Sequence, residues 1–259
     1  MKSIIAKEKA ALKAKYIDPL MPTPEQVAVR MTKKRWRFYY FMKQSLPFLF
    51  FVLFYLITFT ILEHIDRLHY TVIHVGLDDM IPFVPAFIVP YLMWFPFMIF
   101  NVVAIYIKDR QEYEKLAKTL VFGMSIMLIV SILFPNIQYL RPEKMPYDNI
   151  FTRLCSGLYK TDTPTNICPS IHVYNTLAVL IAVVRSRKGP YKKFAVRAGM
   201  CTLGILICLS TMLVKQHSVF DVVCAIGAIV IAHSYYYIYE PAKRSAKEVA
   251  GRRQKAYSE

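Results

Sequence analysis

Apolar residues gather into six long runs, at 46–62, 80–107, 119–134, 170–184, 194–214 and 218–239, separated by stretches rich in charge. A helix needs about 20 mostly apolar residues to cross the hydrocarbon core of a bilayer. The pattern therefore predicts an all-α polytopic membrane protein with six transmembrane helices. The first, third and fourth runs are short by this measure. The fourth opens on Ser170 and His172, and a functional polar start of this kind can sit at headgroup depth, outside the hydrocarbon. The second contains Pro82, Pro85, Pro90 and Pro96. It should be kinked or split, because proline removes a donor from the helical ladder. Residues 46–240 form the transmembrane domain in this reading, preceded by a basic interfacial segment, 1–45, and followed by a basic tail, 241–259.

Composition points the same way. Of 259 residues, 56% are hydrophobic and the mean hydropathy is +0.34, a combination rare in soluble domains. The formal charge is nevertheless +16, and 27 of the 33 Lys and Arg residues fall in 1–45, 108–118, 185–197 and the tail after 240. Six spans put those segments on one side, which the positive-inside rule makes cytoplasmic together with both termini. The others, Arg67, Arg141, Lys144, Arg153, Lys160 and Lys215, fall in the connections on the opposite, extracytoplasmic side. Topology and attraction to an anionic inner leaflet account for the charge. No nucleic-acid-binding motif accompanies it, so nucleic acid is not an expected partner. Segment 1–45 lacks an apolar core long enough for a cleavable secretion signal. Trp36, Tyr39 and Tyr40 suit a helix lying on the inner leaflet, with a solvated charged arm as the alternative.

Ionisable residues at membrane depth are expensive and mark function. Cys168-Pro-Ser-Ile-His172 opens the fourth run, where Ser170 is placed to cap a helix whose first turn carries His172. That imidazole lies beside unpaired amides and the positive end of a helix dipole, a place for an anion. A second polar stretch, Lys215-Gln-His-Ser-Val-Phe-Asp221, puts His217 and Asp221 four apart, on one helical face. The carboxylate can hold one imidazole nitrogen protonated and leave the other as base or nucleophile. Two spans separate the histidines, so both begin helices on the extracytoplasmic face, with Arg141 in the preceding connection. Arg141 suits a bidentate contact to phosphate oxygens; an interfacial salt bridge is the alternative.

The connection 135–169 is the longest, at 35 residues, and such loops are usually functional or mobile. The connection 63–79 carries His64, His69, His74, Asp78 and Asp79. Its histidines are five apart and do not stack on one face, so no metal site is assigned. The two carboxylates read as helix caps or as support at the site's entrance. No cysteine pair has close ligand spacing. Cys155 and Cys168 share the outer connection and leave a disulfide open, whereas Cys201, Cys208 and Cys224 read as packing residues. His233 reads as a histidine satisfied by a neighbour, and Tyr235, Tyr236, Tyr237 and Tyr239 as an aromatic belt.

Arg141-Pro142, then Pro169-Ser170-Ile171-His172, then Ser210 followed by His217 and Asp221 resemble three motifs of the type-2 phosphatidic acid phosphatase superfamily. These are six-span lipid phosphatases related to vanadium haloperoxidases, with patterns Lys-x6-Arg-Pro, Pro-Ser-x-His and Ser-Arg-x5-His-x3-Asp. Order, spacing and membrane side agree, and the resemblance extends over 46–240. It implies a lipid phosphatase that needs no metal or cofactor. His217 would be the nucleophile, Asp221 would fix its tautomer, and His172 would be general acid and base. Arg141, Ser170 and Lys215 would bind the substrate phosphate. Phosphatidate, phosphatidylglycerol phosphate and a polyprenyl pyrophosphate all fit this reading. Phe134 stands where the family has its Lys and Thr211 where it has the second Arg, with Lys215 a replacement cation. Loss of these cations is also a feature of the sphingomyelin-synthase-like and inositol-phosphorylceramide-synthase-like branch, which makes headgroup transfer to a lipid alcohol the second implied activity. A non-catalytic lipid-binding or transport protein on the same scaffold is the third.

Overall fold

The computed structural model describes residues 38–65, 69–243, 245–246 and 249–250. Apart from residues 38–45, the interfacial segment read at 1–45 lies outside the described residues, as does Arg67. The chain divides into two units, 1–54 and 55–259. In the first, a π-helical turn, Phe41–Ser45, leads into α1, Leu46–His64, which continues into the second. The second then contains β1 (Thr71–Val72), α2 (Gly76–Met80), α3 (Ile88–Leu92), α4 (Trp94–Lys108) and α5 (Arg110–Leu133). After these come β2 (Asn136–Ile137), α6 (Ile150–Thr161), α7 (Ile171–Arg185), α8 (Phe194–Leu213) and α9 (Val219–His233).

Among the described residues five helical stretches, Phe38–His64, Pro85–Lys108, Arg110–Leu133, Phe194–Leu213 and Val219–Lys243, are long and apolar enough to cross a membrane. The chain is an all-α polytopic protein, as the apolar runs predict. The sixth, α7, has only 15 residues. It packs against α4, α5, α8 and α9 and buries Val173, Tyr174, Ala178, Val179, Ala182 and Val183. A helix enclosed by four others meets little lipid, so bilayer thickness does not set its length. The outer helices instead turn Phe50, Ile99, Ile205 and Val230 outward.

One close approach holds this centre together. Tyr174 Oη donates to the Thr119 carbonyl at 2.8 Å, which pins the ring over Gly123. A Cβ added at Gly123 would come within 1.9 Å of Tyr174 Cε1. Gly123→Ala is therefore expected to cost about 1–3 kcal/mol through overpacking, read as a lower thermal unfolding midpoint in detergent. An unchanged midpoint would show that the ring has room to move.

The second run is split at Met93, between α3 with Pro90 and α4 with Pro96, as its prolines predict. The structure departs from the sequence pattern in three places. The second run begins as helix only at Pro85. The charged turn expected at 108–118 shrinks to Asp109, because α5 already starts at Arg110. The charges that suggested a loop are paired across helix ends instead: Asp109 with Lys188 at 2.9 Å and Glu112 with Arg185 at 3.5 Å. The long connection 135–169 contains α6, started by a capping box in which Asn149 and Thr152 exchange hydrogen bonds at 2.9 and 3.0 Å.

The connections 63–79 and 135–169 are stitched together. β1 pairs in parallel with β2, Thr71 opposite Asn136 and Val72 opposite Ile137. Gln138 Nε2 donates to the Lys215 carbonyl at 3.0 Å. The disulfide left open between Cys155 and Cys168 does not form: both thiols are free and buried in different apolar clusters, Cys155 with Ile88, Tyr91 and Val214, and Cys168 with Ile73 and Ile167. In the aromatic stretch Tyr237 is buried between Lys115 and Arg185, whose charges lie 5.2 and 4.9 Å from its ring. His233 stacks on the same ring at 5.1 Å.

Candidate active site

The approach to His172 is fixed before the helix begins. Asn136, fully buried, accepts from the amides of Ile167 and Cys168 at 2.8 and 3.0 Å through its Oδ1. Ser170 Oγ then accepts from the Val173 amide at 3.3 Å and caps α7, so His172 falls in the first turn. The Ser170 amide donates to the Asp221 carbonyl at 3.2 Å, which ties the start of α7 to α9.

His217 arrives on a tight turn after α8. Lys215 takes a left-handed conformation with φ of 54°, uncommon for a residue with a Cβ. The amides of Gln216 and His217 both donate to the Thr211 carbonyl, at 2.9 and 3.0 Å. Ser218 caps α9: its Oγ accepts from the Phe220 amide at 3.1 Å, and its own amide donates to Asp221 Oδ2 at 2.9 Å. The anchored carboxylate lies 3.4 Å from His217 Nδ1. On the other side of the ring, His217 Nε2 lies 3.4 Å from His172 Nδ1. The structure thus brings His172, His217 and Asp221 together as an unbroken line of polar groups.

Several atoms on this line lack aligned partners. His217 Nδ1 and Asp221 Oδ1 are buried without a well-directed hydrogen bond, the 3.4 Å approach of Nδ1 to Oδ2 notwithstanding. Catalytic hydrogen bonds are commonly long or poorly aligned before substrate is bound. The Trp94 indole nitrogen is buried and unpartnered as well, and its ring lies 4.5 Å from that of His172. Tyr91 approaches the same imidazole at 4.9 Å. The split second span places these two aromatics, one on α3 and one on α4, against the histidine.

Arg141, Ser170 and Lys215 stand differently. Ser170 is fully buried at the cap beside His172. Arg141 Nη1 donates to the carbonyls of Asp162 and Tyr159 at 2.8 and 3.4 Å, and Nη2 to Thr163 O at 3.1 Å and to Gln216 Oε1. The guanidinium also lies 4.7 Å from the Tyr159 ring centre. Gln216, the residue before His217, passes the link on through Nε2 to Asp162 Oδ2 at 2.9 Å. Burial pushes the Asp162 carboxyl up from its ordinary value, against the pull of Arg141 and His217, and it pulls Arg141 down. The Lys215 ammonium donates to the Asp78 carbonyl at 2.8 Å and to Ile81 O, two of its three protons, and burial lowers its pKa. Of the two residues that stand where the resembled motifs carry cations, Phe134 is exposed, and Thr211 is fully buried with its hydroxyl bonded back to Cys208 O at 2.7 Å.

Asp78, Tyr91, Trp94, Asp162 and Gln216 join this network without having been singled out as site residues from the sequence. Gln216 lies between two that were, and Asp78 was read only as a cap or entrance support. Tyr91 and Trp94 gave no signal beyond being aromatic in an apolar run. Among the described residues no three His, Cys, Asp or Glu side chains converge as a metal site. His74 pairs with the exposed Asp79 at 2.9 Å, while Asp78 turns inward.

Residues 118–243 match the family described as the PAP2 superfamily, just under half of the chain. That segment holds Arg141, Ser170, His172, Lys215, His217 and Asp221, and leaves out Asp78, Tyr91 and Trp94. No curated protein and no solved structure matches the chain significantly. The match supports a relation to that superfamily over this segment, the one that carries the three motifs read from the sequence.

Proposed function

We propose, with the PAP2 superfamily match as premise, that this chain cleaves a lipid phosphate or pyrophosphate ester through a phosphohistidine on the extracytoplasmic face. The observation that carries the reading is the placement of His217, with Nδ1 toward Asp221 and Nε2 toward His172, each at 3.4 Å. A proton held on Nδ1 by the carboxylate leaves the lone pair on Nε2, and the proton in the contact between the rings then belongs to His172 Nδ1. With a second proton on its Nε2, His172 is an imidazolium, the form in which it is the acid while neutral His217 is the nucleophile.

Substrate enters by parting the two rings. His217 Nε2 forms a bond to phosphorus as the bond to the lipid oxygen breaks, and His172 delivers its proton to that oxygen. Water then attacks phosphorus, gives a proton back to His172, and releases phosphate and free His217. Asp221 offsets the positive charge on the phosphorylated ring. The amides at the start of α7, capped by Ser170, meet the equatorial oxygens, and Arg141 and Lys215 add positive charge from the flanking turns.

A second reading is a phosphotransferase that moves a phospho-headgroup to a lipid alcohol. It is favoured by Phe134 and Thr211 and by the carbonyl partners of Arg141 and Lys215, since a thin anion clamp suits a diester with a single negative charge. The two separate on purified protein in liposomes, measuring free phosphate against headgroup exchange over a panel of lipids. Phosphate release with no acceptor requirement, insensitive to chelator, is the expected outcome. Exchange that needs an added lipid alcohol would establish the second reading, and no turnover on any lipid would leave a non-catalytic lipid-binding scaffold.

A further inference from the structure

The turn that carries His217 is fastened at both ends to one distant residue, Asp78. Before the histidine, Lys215 Nζ donates to the Asp78 carbonyl at 2.8 Å and to the nearby Ile81 O. After it, Ser218 Oγ donates to Asp78 Oδ2 at 2.7 Å, and the Val219 amide donates to Oδ1 at 2.8 Å. The carboxylate is itself oriented by the Val75 amide, which donates to Oδ2 at 2.9 Å. Asp78 is 2% exposed, so these bonds do not compete with bulk water. Two of its three donors belong to the cap and first turn of α9, where the helix dipole favours an anion.

We infer that Asp78 is a positioning residue that sets the direction of the His217 imidazole toward phosphorus. It acts through the turn, and the inference rests on the reading of His217 as nucleophile. The connection before the second span thereby enters the reaction, although it lies outside the residues matched to the family. A nucleophile displaced by about 1 Å loses on the order of 10²-fold in rate even when substrate still binds.

Asp78→Asn tests this. One carboxylate oxygen becomes an NH₂ group. In either amide orientation it then faces a backbone N–H that the oxygen used to accept, from Val75 or from Val219. Expected is a fall in kcat of about 10- to 100-fold with KM within about twofold, measured on purified protein in liposomes. Asp148→Asn, which alters the exposed partner of Arg153, serves as the unaffected control. Should Asp78→Asn fail to fold, Ser218→Ala removes the hydroxyl bonded to Asp78 Oδ2 and leaves the carboxylate in place, with the same kcat-dominated loss expected. Wild-type kcat in both variants, or a loss confined to KM, overturns the inference while leaving the nucleophile reading intact. Undetectable turnover in the wild-type protein overturns that reading and the inference with it.

Discussion

His217→Ala is expected to abolish turnover of lipid phosphate, lowering kcat by at least about 10⁴-fold, as removal of a nucleophile generally does. The loss should come without loss of fold. The imidazole is only at hydrogen-bond range from its partners, and the turn around it is held by Thr211 O, Asp78 and the Ser218 cap, none of which needs the ring. The measurement is initial rate together with unfolding midpoint in the same detergent. A variant that keeps more than a few per cent of wild-type rate with the fold intact would remove His217 from the covalent step.

Replacing His172 has the next largest effect, and its dependence on the substrate makes it the more discriminating test. For a lipid leaving group, an alkoxide that must be protonated, His172→Asn should lower kcat by about 10²- to 10⁴-fold. For an aryl phosphate whose leaving phenolate needs no proton, the first step should survive and the second should not, because water has lost its base. The prediction is a burst of phenolate equal to the enzyme concentration, followed by near arrest, with phosphate retained on His217. Equal losses for both substrates and no burst would show that His172 does not act in proton transfer. Asparagine is preferred to alanine here because the ring is packed between Tyr91 and Trp94, and a smaller residue would leave a hole.

The apolar runs predict the spans because lipid imposes a single demand, length of apolar helix, that is written locally. The four prolines of the second run predict a kink or split for an equally local reason, and the break falls at Met93, between Pro90 and Pro96. Ser170, His172, His217 and Asp221 were legible since capping and four-residue spacing act within one turn. What escaped is set between segments. That α7 is the enclosed helix follows from its four neighbours, and nothing in its own 15 residues announces it. Asp78 has the composition of an ordinary helix cap, and it is one for Val75; that it also caps α9 depends on a fold that brings Ser218 to it. Arg141 was read as a phosphate ligand or a salt-bridge partner, yet the carbonyls that receive it are backbone atoms of residues 159–163, which no side-chain pattern could identify. The same holds for the helical start at Arg110, where charges that look like a solvated loop find partners at Lys188 and Arg185.

The stitching of the connections 63–79 and 135–169 bears on the order in which the site can form. Asn136 holds the approach to His172, but Gln138, Asp78 and Ser170 all reach for groups at or beyond residue 215. A ribosome must pass residue 221 before all of those groups exist. Under the proposed mechanism, a product stopped before residue 217 lacks both the nucleophile and the partners that hold its turn, and does no chemistry on the lipids around it.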